Sequence, residues 1–376
     1  MSNLDHIVLF SLLFATFFSM SRINQQLLNK HFWKFVSVLI ILYSLILGCR
    51  YGWGNDYLWY KRRMENPFFY RDEDIGFRYL NLLIKDVGLN YVGGYILYSL
   101  LYIIGAFALI KDFKQNKYML AFFLPATLLQ STFTIRQSVA HSFVFLALHY
   151  FHKKSWSIMI CMLMIAYSIH PVAILMILPI IPLYYLAHKP FDYRYVIPIY
   201  IVVSILTDLF SSLTVEVFSQ YMPMLTLNNK FNDYLQDPQW YNENAVKDEW
   251  KQGTLTLILS IAFHVSIFYI GHIALKYRPN LKVICYYNTV VIGFILLRLF
   301  WTFEIFRRIA TPYTILYFIP LGYAFSVIKN SPKRLSLLEK KLSTAAVICI
   351  LLYLTLYYGR FILQSPNYDF FWNQTT

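Results

Sequence analysis

Charged side chains stand at the ends of several apolar segments, where they could bind a charged substrate. Arg50 has a planar donor fork that could hold a phosphate, and Asp56 could accept a proton from an attacking hydroxyl. Arg136 opens an apolar segment, and the N–H groups at a helix N-terminus already favour anions. The structural alternatives are an Arg50–Asp56 ion pair that pins the loop and an arginine that snorkels to lipid headgroups.

Carboxylates and a histidine occupy two further segment ends. Glu73 and Asp74 precede an amphipathic stretch, and a carboxylate in a partly dry cleft acquires a raised pKa that suits a general base. Glu73 is the preferred candidate, and the alternative is an acidic turn that caps the following helix. His170 stands before Pro171, where it could accept a proton, hydrogen-bond to a substrate or simply end a helix.

A third charged group, late in the chain, carries more positive than negative charge. Arg298, Arg307 and Arg308 lie near Glu304. Because the arginines outnumber the glutamate, we predict that Arg308 contacts an anion and that Arg307 supports it. The alternative is a bridge that locks two helices. Three residues beside the earlier groups are predicted to support binding: Tyr57, Tyr60 and Gln137.

Membrane helices must position these residues. The 376-residue chain is 58% hydrophobic and 19% aromatic, with a mean hydropathy of +0.48. Apolar runs of about 20 residues, the length that crosses a bilayer, recur throughout, and no alternating barrel strands occur. The sequence predicts an all-α polytopic membrane protein of about 10–12 spans, forming one domain over residues 1–376. The candidate spans are 4–20, 32–48, 91–110, 117–133, 136–151, 156–169, 171–187, 194–211, 254–275, 281–300, 309–328 and 342–359.

The charge pattern predicts the orientation of these spans. Six short loops hold 18 Lys and Arg and only three acids, which assigns them to the cytoplasm. They are 21–34, 111–117, 152–154, 188–194, 276–282 and 329–341. The long segments 49–90 and 212–252 then lie outside, with the candidate site residues. Nucleic acid is not expected as a partner despite a net charge of +14, because the charge is segregated by membrane face.

Four stretches, taken in order, resemble the EpsG family. They are Arg50-Tyr-Gly-Trp-Gly-Asn-Asp56-Tyr57-Leu-Trp-Tyr60, Glu73-Asp-Ile-Gly76-Phe77, Ile135-Arg136-Gln137-Ser-Val-Ala140 and Ala166-Tyr-Ser-Ile-His170. The resemblance covers roughly residues 46–185, with a weaker likeness at 308–313 and 366–370. This chain has Asp74-Ile75 where the family commonly has a proline after the glutamate.

The resemblance implies a Wzy-type polymerase of bacterial exopolysaccharide, capsule or O-antigen, similar to multi-span glycosyltransferases of the GT-C type. Such enzymes act on the periplasmic or extracellular face of the cytoplasmic membrane, and they join oligosaccharide repeats carried on undecaprenyl diphosphate. By that likeness Asp56 or Glu73, with His170 as rival, takes the acceptor proton in an inverting displacement. Arg50, Arg136 and Arg308 would hold the diphosphate. A flippase and a chain-length regulator would be pathway partners.

Other functions stay open. An O-antigen ligase would use the same donor with another acceptor, and a flippase or exporter would use the arginines as anchors. A membrane acyltransferase would depend on a single histidine. The chain has no Walker A, HExxH or GxSxG motif, and its four cysteines share no spacing, so neither a metal nor a cofactor is expected.

Overall fold

The protein is almost entirely helical in the part of the chain that the structure describes. The computed structural model describes residues 2–52, 56–68, 74–209, 254–301, 304–330, 335–363 and 369–370. Glu73 and the predicted external segment 212–252 therefore lie outside the described residues. The prediction of an all-α polytopic membrane protein is confirmed.

Within each described range, the helices follow one another with short connections. In chain order they are α1 (Ser2–Ser19), α2 (Gln25–Lys30), α3 (Phe32–Gly48), α4 (Tyr57–Glu65), α5 (Ile75–Asp86), α6 (Tyr91–Lys111), α7 (Asn116–Phe133), α8 (Ile135–His152), α9 (Trp156–Ile169), α10 (Ile177–Leu186), α11 (Tyr193–Leu209), α12 (Thr254–Tyr277), α13 (Leu281–Leu299), α14 (Glu304–Thr314), α15 (Phe318–Asn330) and α16 (Leu337–Leu363). Short 3-10 helices cover Met20–Arg22, Pro171–Met176 and Ile315–Tyr317. Two short strands, β1 (Arg50–Tyr51) and β2 (Asp369–Phe370), pair antiparallel.

Helices are present at all twelve predicted spans, but those at 117–133 and 136–151 are not among the described segments that are apolar enough to cross a membrane. Within the described ranges, six helical segments are long and apolar enough to cross a membrane: Leu4–Arg22, Tyr91–Lys111, Leu255–Tyr277, Leu281–Leu299, Arg307–Asn330 and Leu337–Gly359. Four shorter apolar segments are Phe32–Gly48, Trp156–Ile169, Pro171–Leu186 and Tyr193–Thr207. The expected break at His170-Pro171 is present, because α9 ends at Ile169 and His170 is extended. Proline lacks the N–H that would continue the helix.

Polar caps determine where several helices begin. The Asn90 side chain accepts a hydrogen bond from Gly93 N at 3.0 Å at the start of α6, and Asn280 does the same for α13. Ser336 and Glu339 exchange hydrogen bonds between side chain and backbone at the start of α16. These contacts satisfy N–H groups that a helix N-terminus leaves unpaired.

The chain divides into two compact units. The first comprises Met1–Ile181, Leu321–Lys329 and Leu354–Thr376, and the second comprises Pro182–Pro320 and Asn330–Tyr353. The expectation that residues 1–376 act as one polytopic membrane domain stays a prediction.

Contacts between loops follow the charge pattern. In the first unit, Gln25 Nε2 donates to Asn116 Oδ1 at 2.6 Å, which joins two loops predicted to be cytoplasmic. In the second unit, Lys276 pairs with Glu339 at 3.0 Å and joins two more. Each pair connects loops that the charge pattern places on the same face, so the predicted alternation of the spans is consistent with the tertiary structure.

A carboxylate held by two histidines lies beside the end of α8. Asp112 accepts hydrogen bonds from His149 Nδ1 at 2.9 Å and from His152 Nδ1 at 3.1 Å. Burial by itself would raise the pKa of Asp112, but the hydrogen bonds from the two imidazoles outweigh it, so the pKa lies below its ordinary value. This cluster ties the loop after α6 to the end of α8.

Helices α4 and α5, which follow α3 in the chain, pack against α6. The Tyr57 and Tyr95 rings stack at 4.6 Å, and Tyr95 OH donates to the Tyr57 carbonyl at 2.7 Å. Further along α6, Tyr98 OH donates to the buried Asn81 side chain of α5. Helices α4 and α5 are therefore fixed against a membrane helix by aromatic packing and by buried hydrogen bonds.

Candidate functional site

Three ionisable side chains meet at one end of the first unit. Arg136 Nη1 lies 3.3 Å from Asp74 Oδ2, and His170 Nδ1 lies 3.7 Å from the same oxygen. The side chains of Arg136 and His170 are each 21% exposed and that of Asp74 is 16% exposed. We call Asp74, Arg136 and His170 the Asp74 cluster. It is largely shielded from solvent, although each of the three side chains keeps part of its surface exposed.

Each member of the cluster stands at a helix end. Asp74 is the N-cap of α5, but its side chain makes no capping bond to the helix, so its carboxylate is available to Arg136. Arg136 is the second residue of α8, and His170 is the extended residue after α9. The N-terminal N–H groups of α8 add positive potential beside the Arg136 guanidinium.

Close packing of α5 against the end of α9 brings Asp74 to His170. A Cβ atom at Gly76 would lie 2.2 Å from Ser168 Oγ and 2.8 Å from the Ser168 carbonyl carbon. Because real Cβ atoms do not approach other atoms so closely, only glycine permits this approach. Close packing against Ser168 thus explains why the Glu73–Phe77 stretch has glycine at position 76.

Gly76→Ala is expected to destabilise the protein by about 1–3 kcal/mol, because the added methyl overpacks the contact with Ser168. The measurement is the melting temperature in detergent, together with hydrogen exchange of residues 74–86. Gly359→Ala in α16 is the matched control, since no atom of the described residues lies within 4 Å of its Cβ position. That control should melt at the same temperature or slightly higher. Equal melting of the Gly76 variant and the natural protein would contradict the packing argument.

Arg50 is buried at the end of α3. Arg50 is only 1% exposed. Its guanidinium donates hydrogen bonds to the carbonyl of Leu47 and, at 3.5 Å, to the carbonyl of Ser131. Its guanidinium carbon lies 5.3 Å from the centre of the Tyr95 ring. Within the described residues its Nε has no hydrogen-bond partner, and no carboxylate pairs with it. Burial lowers the pKa of the Arg50 guanidinium from its ordinary value.

Arg50 and Arg136 both contact helix α4 and both lie at the turn between α7 and α8. Arg50 bonds to Ser131 in the last turn of α7, and Arg136 opens α8 just after the turn. Helix α4 contacts both arginines, since Tyr57 OH donates to the Arg50 carbonyl at 2.9 Å and Trp59 lies 5.9 Å from the Arg136 guanidinium carbon. The first unit therefore brings these two predicted phosphate ligands to one region.

The other predicted residues are placed in different surroundings. Tyr60 is buried with its ring edge on Phe77, and Gln137 is buried with Nε2 lacking a partner among the described residues. Asp56 is exposed at the N-terminus of α4, and the structure shows no Arg50–Asp56 ion pair among the described residues. Arg307 and Arg308 are half-buried in the second unit, where Arg307 lies over the Trp301 ring at 5.6 Å.

Comparison with known proteins identifies the family of this chain. The sequence profile of the EpsG family matches residues 33–375. The chain belongs to the EpsG family. The match includes all four motif stretches and the whole Asp74 cluster. No curated protein and no solved structure matches the chain.

Membership of the EpsG family indicates a polysaccharide polymerase-like, glycosyltransferase-like activity in a membrane protein. Within the described part of this EpsG-family chain, no group of three His, Cys, Asp or Glu is placed to hold a metal ion. The ligands that the cluster can bind are anions, through Arg136, and hydroxyl groups, through His170 or Asp74.

The sequence favours Glu73 over Asp74 as the candidate base. Glu73 lies outside the described residues, so that preference stays a prediction, while Asp74 is in contact with both Arg136 and His170. One signal for Asp74 was available, because aspartate is a favoured N-cap residue and the apolar stretch begins directly after it. Trp59 beside Arg136 and the pairing of β2 with β1 had no local signal, since both depend on contacts distant in sequence.

Proposed function

We propose that this EpsG-family protein polymerises oligosaccharide repeat units carried on undecaprenyl diphosphate, at the outer face of the bacterial cytoplasmic membrane. The observation that carries the proposal is the ion pair of Arg136 with Asp74 at the N-terminus of α8, beside His170. It provides a fixed cation for a diphosphate and a proton acceptor for a hydroxyl in one cluster.

The reaction needs one displacement. A hydroxyl oxygen of the incoming repeat attacks the anomeric carbon of the growing chain, and the bond from that carbon to the diphosphate oxygen breaks. The electron pair leaves with the diphosphate, and the hydroxyl proton passes to a base. Attack from the face opposite the leaving group inverts the anomeric centre. No protein nucleophile is required, because a diphosphate departs readily.

Arg136 is suited to the leaving group. Its guanidinium can bind two diphosphate oxygens at once, and the N–H groups of α8 point toward the same anion. The negative charge on the departing oxygen grows in the transition state, so a cation fixed beforehand lowers the barrier. Arg50, which bonds to Ser131 in the last turn of α7 and has no carboxylate partner among the described residues, adds positive potential. Arg308 stays a predicted anion contact of the second unit.

Ligand binding would redistribute the charge of Asp74. In the structure its carboxylate is shared between Arg136 and His170. When a diphosphate engages Arg136, Asp74 keeps its contact with His170. The carboxylate then favours the tautomer with a proton on Nδ1, which leaves the Nε2 lone pair free to accept the proton of the acceptor hydroxyl. This arrangement favours His170 as the base, with Asp56 and Glu73 as alternatives.

The proposed face follows from the charge pattern. Arg136 of the Asp74 cluster lies at the start of α8, and His149 and His152, which bind Asp112, lie at its other end. The 18 residues of α8 span about 27 Å. The lysine-rich loops 111–117 and 152–154 adjoin Asp112, which assigns that end to the cytoplasm and the Asp74 cluster to the outside. A flippase would then deliver the lipid-linked repeats to this face, and a chain-length regulator would act on the product.

Reconstitution tests the proposal and separates it from its rivals. The purified protein is placed in lipid vesicles with a lipid-linked repeat, and glycan length and released lipid diphosphate are measured. A polymerase yields long chains and releases one lipid diphosphate for each linkage formed. Movement of intact repeats across the bilayer without linkage would indicate a flippase, and transfer of a repeat to a different acceptor would indicate a ligase. Either result would overturn the proposal.

A further inference from the structure

The strand β2 joins two parts of the chain that are more than 300 residues apart in sequence. Arg50 pairs with Phe370, and Tyr51 pairs with Asp369. Phe370 is 0% exposed, and β2 also packs against α1 of the same unit. A buried aromatic side chain therefore anchors this strand directly beside the backbone of Arg50.

The backbone and the side chain of Arg50 are held from several directions. Tyr57 OH binds its carbonyl, while its guanidinium binds the carbonyls of Leu47 and Ser131. Just after β1, Gly52 has φ +72°, a left-handed conformation that turns the chain away and that glycine adopts without strain. Arg50 lies between α3 and this turn, and its backbone belongs to the two-stranded sheet that β1 forms with β2.

We propose that β2 is a positioning element for the candidate site, and that Phe370 acts through Arg50. A two-residue pairing has little stability by itself, so burial of Phe370 is what keeps β2 on β1. Loss of that anchor would let the Arg50 backbone shift and would misplace the guanidinium. This inference rests on the proposed function, since it assigns Arg50 to the binding of the lipid diphosphate.

The first experiment is a double-mutant cycle on initial polymerisation rate. Phe370→Ala should lower the rate at least tenfold and raise the donor KM more than it lowers kcat, while Phe370→Leu should retain most of the activity. In an Arg50→Ala background, Phe370→Ala should cause little further loss, because its effect passes through Arg50. Equal losses in both backgrounds would mean a purely structural role and would overturn the inference.

Phe361→Ala is the matched control. Phe361 is an aromatic residue of α16 that packs on His6 and Phe10 without belonging to β2. Its truncation should leave the donor KM unchanged and should add independently to Arg50→Ala. A rise in donor KM equal to that of Phe370→Ala would contradict a specific role for β2.

The second experiment tests the pairing of β2 with β1 directly. Tyr51 and Asp369 face each other in the register, and Cα atoms of such antiparallel partners lie about 4.5–5.5 Å apart, within the range of a disulfide. Tyr51→Cys with Asp369→Cys, in a Cys49→Ser background, should form a disulfide detectable by gel mobility after proteolysis between the two residues. Oxidation should also restore activity to the Phe370→Ala variant.

The outcomes separate the two proposals. If the disulfide forms and the natural protein makes no polymer, the proposed function fails while the pairing of β2 stands. If no disulfide forms, or if oxidation leaves the Phe370→Ala variant inactive, the positioning role of β2 is wrong even where polymerisation is found.

Discussion

Arg136→Ala is expected to reduce polymer formation by about 100-fold or more, the loss that follows when a fixed donor is removed from a developing negative charge. The cation lies at the N-terminus of α8 and forms the ion pair with Asp74. In cells, the measurement is the length of surface glycan in a strain that lacks its own copy. Single repeats should still reach the surface, because their delivery does not require polymerisation.

Two further variants make this result specific. Arg136→Lys keeps the charge but loses the planar fork, so it should fall between the alanine variant and the natural protein. Arg194→Ala is the matched control, because Arg194 is 71% exposed and pairs only locally with Asp192 in the described contacts. Its polymer should have normal length. Long chains from Arg136→Ala, at normal protein level in the membrane, would refute the role given to Arg136.

Asp74→Asn is expected to produce a loss of similar size, about 100-fold or more, by comparison with losing the carboxylate that orients a catalytic histidine. Asparagine has nearly the same shape, and the Asp74 side chain makes no capping bond that the substitution could remove, so α5 should persist. The variant removes the negative charge that both Arg136 and His170 face. Single-turnover rates with a lipid-linked repeat measure the effect on the chemical step.

Glu73→Gln is the paired variant for this prediction, since it neutralises the neighbouring carboxylate. The contacts of Asp74 predict that Asp74→Asn costs more activity than Glu73→Gln. The reverse order would restore the sequence-based preference for Glu73 as the base. A normal single-turnover rate in Asp74→Asn would show that the Asp74 cluster is structural and that proton transfer occurs elsewhere.

Arg136 and Asp74 should also be coupled energetically. They form one ion pair, so Arg136→Ala combined with Asp74→Asn should cost much less than the product of the two single effects. The pair is only about one-fifth exposed at Arg136, so leaving either charge alone is expected to cost stability as well as rate. Protein levels in the membrane must therefore accompany each rate.

Much of the fold is encoded locally. Apolar runs long enough to cross a bilayer identified the helical segments, because a chain in lipid must satisfy its backbone hydrogen bonds within itself. The break before Pro171 and the glycine turn at Gly52 follow from the backbone limits of proline and the freedom of glycine. The segregation of lysine and arginine identified loops that the tertiary structure joins in pairs.

Local sequence patterns encode only part of the arrangement of the candidate site. The sequence by itself determined the helical segments and the residue types at the helix ends, since hydropathy acts over single segments. Only the tertiary structure decided that Asp74 contacts Arg136 and His170, that Gly76 admits Ser168, and that Phe370 pairs with Arg50. Such contacts join residues far apart in the chain, and they depend on how helices pack, which no local pattern specifies.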